Sequence, residues 1–127
     1  MADSFTDREL DVMAVLWDRG PSSVAEVRAA LEDTLAYTTV LTVLRTLEEK
    51  GSVGHQEEGR AYRYHALVAR EAAGRSALRR MLGKLFAGSP EMLLTQLVDE
   101  REMAPDELAR LRALLDARID EQREGDA

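Results

Sequence analysis

At 127 residues, 45% hydrophobic and with a net charge of −7, the chain has apolar content for one core, or for a small head with a helical tail. No window is long and apolar enough to cross a bilayer, MADSFTDREL lacks the basic region and apolar run of a secretory signal, and zero cysteines exclude disulfides, thiolate zinc sites and cysteine nucleophiles. The expectation is a cytoplasmic protein without membrane insertion, whose acidic balance is unpromising for a nucleic-acid partner.

The first helix is expected from about Asp7 to Arg19, because Thr6 and Glu9 have capping-box spacing and Leu10, Met13, Ala14 and Trp17 follow as an apolar stripe. Gly20 and Pro21 break it. Ser23 and Glu26 repeat the capping spacing for a short second helix to about Glu32, with Val24, Val27 and Leu31 facing inward. This opening segment, residues 1–35, holds 3 basic and 8 acidic residues, so it repels a polyanion. A third helix is expected from Thr38 or Thr39 to Lys50, closed by Gly51.

The period then changes. SVGHQEEGRAYRYHAL alternates around Glu58-Gly59, which predicts a hairpin with arms Val53 to Gln56 and Ala61 to His65. Tyr62 and Tyr64 would share one face and pack on the head, leaving Arg63 and His65 on the other. Residues 36–66 hold 4 basic and 4 acidic residues, so no basic patch is available. From about Ala69 helical spacing returns through Ala77, Leu78, Met81, Leu82, Leu85 and Phe86 to a stop at Gly88. Ser89-Pro90 starts a helix carrying Leu93, Leu94, Leu97 and Val98. Pro105 with Asp106 and Glu107 opens a last one carrying Leu108, Leu111, Leu115 and Ile119.

Three short helices and a two-stranded hairpin are the order of a winged helix. The fold class expected is mainly α with a small β-hairpin wing: a winged helix-turn-helix head over residues 1–68, then a helical dimerisation region over 69–127. The later helices carry stripes too wide for solvated tails, so Leu78, Leu82, Leu85, Phe86, Leu93, Leu94, Leu97, Leu108, Leu111 and Leu115 are the expected contacts to a second copy.

The third helix carries the chemistry. At about 100° per residue, Thr38, Thr39, Thr42, Arg45, Thr46 and Glu49 fall on one side, opposite Val40, Leu41, Val43, Leu44 and Leu47. A face meant only for water is usually built from Glu, Lys, Arg or Gln; four threonines together cost up to about 2 kcal/mol of propensity relative to alanine. A hydroxyl beside a methyl suits base edges, and Arg45 adds a fork for guanine or phosphate. These five Thr and Arg side chains are the expected major-groove contacts, with Arg60, Arg63 and His55 on the flanking backbone.

LTVLRTLEEKGSVGHQEEGRAYRYHAL resembles the end of the third helix and the wing in the BlaI/MecI family of penicillinase repressors, with its Thr-x-x-Thr, Lys-Gly and Gly-Arg-x-Tyr-x-Tyr. The resemblance continues through FTDRELDVMAVLWDRGPSSVAEVRAAL, LGKLFAGSPEMLLTQLVDE and MAPDELARLRALLD. It implies a homodimeric repressor on a palindromic operator, with Thr39 and Thr42 matching the helix threonines and Gly59, Arg60, Tyr62 and Tyr64 the wing. Thr38 stands where well-known members have lysine, and their helix arginine falls at Thr46, so the operator sequence does not carry over. Resistance-controlling members are cut by a membrane metalloprotease sensor at an Asn-Phe bond, whose position here is Gln96-Leu97.

No nucleophile, base and acid stand in a catalytic order, and the two histidines, His55 and His65, have only Glu57 or Glu58 as metal partners, so neither catalysis, metal nor cofactor is expected. Two rivals share the fold: a winged-helix module that binds protein through the threonine face, and a regulator with a small-molecule pocket beside the dimer helices.

Overall fold

The structure, a computed structural model, describes residues 4–126. The Thr6 hydroxyl accepts from the Glu9 N–H and the Glu9 carboxylate accepts from the Thr6 N–H at 2.8 Å, and this reciprocal cap starts α1 (Asp7–Arg19). α1 is apolar on two sides. Val12, Met13, Val15 and Leu16 face the core, while Leu10 is exposed and Trp17 only partly buried. The expected stripe is therefore rotated, because the helix serves two neighbours and a single-face pattern averages them.

A short strand that the sequence does not announce, β1 (Ser22–Ser23), follows the turn and runs into α2 (Val24–Ala30), capped by the Ser23 hydroxyl accepting from the Glu26 N–H. α3 (Tyr37–Glu49) begins at Ala36, which offers no side-chain cap, so none of the threonines is spent as one. Its end is sharply defined. Gly51 at φ +82° donates to the Glu48 carbonyl, and Ser52 donates to the Leu47 carbonyl at 2.9 Å, the paired bonds of a Schellman cap.

The hairpin pairs β2 (Val53–Glu58) with β3 (Ala61–Ala66) in antiparallel register from Val53 opposite Ala66 to Glu58 opposite Ala61. The turn residues are thus Gly59-Arg60 and not Glu58-Gly59, with Gly59 at φ +64° in the first turn position. β1 adds to the other edge of β3, giving the order β1-β3-β2. Sheet and helices close over Val12, Met13, Leu16, Val27, Val40, Leu44, Leu47, Val53 and Tyr64.

Two compact units divide the chain, Met1–Met81 and Leu82–Ala127. In the first, the opening turns of α4 (Arg70–Leu85) rest on the outer side of α1: Ala73 is buried, the Trp17 indole N–H donates to the Val68 carbonyl at 2.8 Å, and the Arg70 guanidinium lies 5.5 Å from the Trp17 ring centre. In the second, Ser89 caps α5 (Pro90–Glu100), with Pro90 at its first position, and α6 runs Pro105–Asp126. Neither α5 nor α6 buries a residue. Met81 and Met92 are likewise exposed, whereas Met13 is fully buried.

Glu9 ties the head together. It is only 4% exposed, and the Lys50 ammonium, at the end of α3, reaches its Oε1 at 2.7 Å while also donating to the Ser4 carbonyl. Burial works to raise the Glu9 carboxyl, but the Lys50 and Thr6 hydrogen bonds and the Lys50 charge outweigh it and hold the carboxyl below its usual range. A carboxylate depressed in the folded state adds stability above its unfolded value and loses it as pH falls through the folded one. Lys50→Ala, which strands that carboxylate, is expected to lower unfolding free energy by about 1–3 kcal/mol at neutral pH, with the gap to wild type narrowing in acid as Glu9 takes up a proton. Urea titrations at neutral pH and below the carboxylate range measure both.

Candidate nucleic-acid interface

Burying Val40, Leu44 and Leu47 leaves α3 one outward strip: Thr38, Thr39, Thr42, Arg45, Thr46 and Glu49, all exposed. Two of the threonines are not free to donate. The Thr42 hydroxyl donates to the Thr38 carbonyl at 2.9 Å and the Thr46 hydroxyl to the Thr42 carbonyl at 3.0 Å. They therefore turn lone pairs and methyl groups outward, which leaves these two for acceptor and apolar contact.

The arginines divide into free and tied. Among the described residues no hydrogen bond or ion pair holds Arg45 or Arg60. Both line a crevice of about 330 Å³ between α3, the start of α2 and the wing tip, together with Tyr37, Leu41 and Tyr62. Arg63, expected at the backbone, instead donates to the Pro21 carbonyl at 2.8 Å and to Glu26 at 2.9 Å, and lies 3.4 Å from Glu58. Its hydrogen bond is the main reason the Glu26 carboxyl sits below its usual range, with Ser23 adding to it. His55 pairs its Nδ1 with the Glu48 carboxylate.

The two wing tyrosines share a face but not an environment. Tyr64 is 2% exposed and belongs to the core, where burial first and then the Glu48 charge push its phenol up. Tyr62, two residues nearer the tip, is 43% exposed and packs its ring on His55, with centroids 4.6 Å apart. Strand alternation gave both the same face, but burial along β3 is lost toward the turn, and Tyr62, opposite Glu57, lies outside. Tyr37 was not anticipated, because it flanks the threonine strip and its exposure comes from the open crevice. The sequence signal was an aromatic at the first helical turn with no apolar partner three or four residues before it.

The candidate dimer side chains are uncovered. Leu85 is 71% and Leu97 50% exposed, and Leu78, Leu94, Leu108 and Leu115 are also exposed, with Leu82, Phe86, Leu93 and Leu111 half-buried. Gln96 and Leu97 lie within α5, on exposed positions. Among the described residues no cluster of His, Asp or Glu has metal-binding geometry, and no helix is long and apolar enough to cross a membrane.

The family model for the penicillinase repressor matches residues 5–117. The chain belongs to that family. Its members are transcriptional repressors and not enzymes, in agreement with the resemblance carried by the third-helix and wing motifs. The penicillinase repressor of Bacillus licheniformis is 23% identical, with 94% of each chain covered. The methicillin resistance regulatory protein MecI of Staphylococcus aureus is 20% identical over 84% of this chain and 89% of its own. The transcriptional regulator BlaI of Mycobacterium tuberculosis is 43% identical, over 51% of this chain and 49% of its own. Among solved structures, AbfR of Staphylococcus epidermidis aligns with 95% of this chain and 76% of its own at 17% identity and a TM-score of 0.48.

Arg63 and Arg60 should separate cleanly in stability. Arg63→Ala loosens the hairpin from α2 and is expected to lower unfolding free energy by up to about 1 kcal/mol, the range of solvent-exposed pairs, whereas Arg60→Ala leaves it unchanged. Thermal unfolding of both variants is the measurement.

Proposed function

We propose that this repressor acts as a homodimer in the cytoplasm on a palindromic operator, each head setting α3 in the major groove and its wing on the adjoining backbone. The observation that carries this reading is the pairing of an outward threonine strip with the unpaired Arg45, and of the unpaired Arg60 with the wing turn, on one side of the head. In it, Thr42 and Thr46 meet base edges with acceptors and methyls, Thr38 and Thr39 with hydroxyls that can also donate, Arg45 grips guanine or phosphate, and Arg60 holds the backbone. His55 and Arg63 serve it from within the protein, since both are engaged by carboxylates.

The exposed leucines of α4, α5 and α6 supply the dimer contact, and two heads so joined engage half-sites one helical turn or a multiple apart. Repression follows from blocking polymerase. The family resemblance extends the reading to a membrane metalloprotease that ends repression by cutting at Gln96-Leu97. That bond lies inside α5, so cutting requires the helix to open locally.

Selection of genomic fragments on the purified protein, followed by titration of the recovered duplex, tests the reading. Arg45→Ala is expected to lower operator affinity by about 1–3 kcal/mol and hardly change binding to random DNA, while Arg60→Ala weakens both alike and flattens the salt dependence. Equal losses on both duplexes for Arg45→Ala refute its role as a base reader. Leu97→Asp combined with Leu115→Asp is expected to give a monomer in sedimentation and to lose operator binding; a wild-type chain that sediments as a monomer overturns the dimer.

A further inference from the structure

Tyr37 is the residue that the operator-binding reading leaves without a task. It stands half exposed in the first turn of α3, where Tyr37, Leu41 and Arg45 follow one another at four-residue spacing and so form a row along the flank of the helix, beside the threonine strip. Opposite that row is the wing tip with Arg60, Ala61 and Tyr62, and between the two lies the crevice of about 330 Å³. Its described lining carries two guanidinium groups, two phenols and no carboxylate, in a chain whose net charge is −7. All four groups are unspent: among the described residues neither the two phenolic hydroxyls nor the two guanidinium groups have a hydrogen-bond or ion-pair partner. Most of the remaining lining is apolar, from Val24, Ala25, Leu41 and Ala61.

Cations and hydroxyl donors around a small apolar lining are complementary to an anion carried on a compact ring. A groove-bound α3 brings such a ligand to that spot, the backbone of the strand beside the groove. We infer that the crevice seats one sugar–phosphate unit of the operator, the phosphate held by the Tyr37 hydroxyl together with the Arg60 guanidinium and the deoxyribose resting on the apolar lining, with Tyr62 on the wing side. Tyr37 is thereby a contact to DNA, while Arg45, where the flank row meets the threonine strip, keeps to the groove. Both rings come to the site nearly fixed: Val40 and Leu44 lock α3 in the core, and Tyr62 packs on His55 with centroids 4.6 Å apart. A tyrosine has only two torsions to immobilise, so little entropy is lost on binding. A phosphate contact carries no base information, so Tyr37 sets register and not sequence. Its hydroxyl is uncharged and releases no counterion, which separates its signature from that of an arginine.

This inference rests on the operator-binding reading, and the test keeps the two apart. Full-length protein is titrated with operator and random duplexes by fluorescence anisotropy over a range of salt. Tyr37→Phe, which removes one oxygen, is expected to weaken both duplexes alike by about threefold to tenfold while keeping the wild-type salt slope, whereas Arg60→Ala flattens that slope. Loss on the operator alone makes Tyr37 a base contact, and no loss leaves it idle; either result overturns the seat. Operators in which one backbone phosphate at a time is replaced by a neutral methylphosphonate then locate it. At one position in each half-site the penalties of the replacement and of Tyr37→Phe should overlap, so that together they cost less than their product. Penalties that multiply at every position overturn the seat while leaving operator binding intact. Thymidine 5′-monophosphate, added as competitor, is expected not to displace the operator at about 1 mM, because one nucleotide brings none of the groove contacts; displacement assigns the crevice to a free nucleotide and overturns the seat. Thermal unfolding of Tyr37→Phe should match wild type, and a lowered midpoint marks the hydroxyl as structural and overturns its role on DNA. Failure of wild type to bind either duplex overturns the operator reading and the seat together.

Discussion

Everything about this head depends on α3 burying a single stripe. Val40, Leu44 and Leu47 are fully enclosed by Val12, Met13 and Leu16 of α1, Val27 of α2, and Val53 and Tyr64 of the hairpin. A helix that surrenders one side to a core has no choice about the other, so the threonines and Arg45 are outward as a consequence of leucine packing. Burying three such side chains contributes several kcal/mol at about 25 cal/mol per Å², more than the propensity the threonines forfeit. The position of the strip is therefore much more strongly held than any single polar contact could hold it.

The acidic total of the chain loses much of its force once charges are placed. Glu26 and Glu58 are paired with Arg63, Glu9 is withdrawn into the core against Lys50, and Glu48 is hydrogen-bonded to the His55 ring. What remains near α3 without an ion pair includes two guanidinium groups, Arg45 and Arg60, together with Glu49 and Glu57. Local charge at that surface is set by which side chains are already engaged, and a sum over residues 36–66 cannot express that. The same pairing explains why Arg63 holds the wing to α2: two carboxylates and a carbonyl converge on it before any outside anion could.

The second unit is the opposite case. α5 and α6 bury none of their residues, yet Leu94, Leu97, Leu108, Leu114, Leu115 and Ile119 recur along them. That much exposed leucine exceeds what single solvent-facing helices carry, and it is why the leucines enter the proposed dimer.

The amino-acid sequence by itself determined the element order, the span of α1 and its capping box, the stop at Gly51, and the two faces of α3, because capping and helical periodicity are properties of a few neighbouring residues. It determined the family as well, through motifs in fixed order. Tertiary structure alone decided that Leu10 stays exposed while Trp17 packs partly buried at the edge of the core with its indole N–H on the Val68 carbonyl, that Ser22 and Ser23 pair with Tyr64 and Arg63 as a third strand, that Tyr62 stays outside while Tyr64 goes in, and that Arg63 and His55 are claimed by carboxylates. Most of these turn on a partner between seven and fifty-one positions away in the chain. Periodicity reports which side of an element a residue lies on, and carries no information about what, if anything, is waiting there.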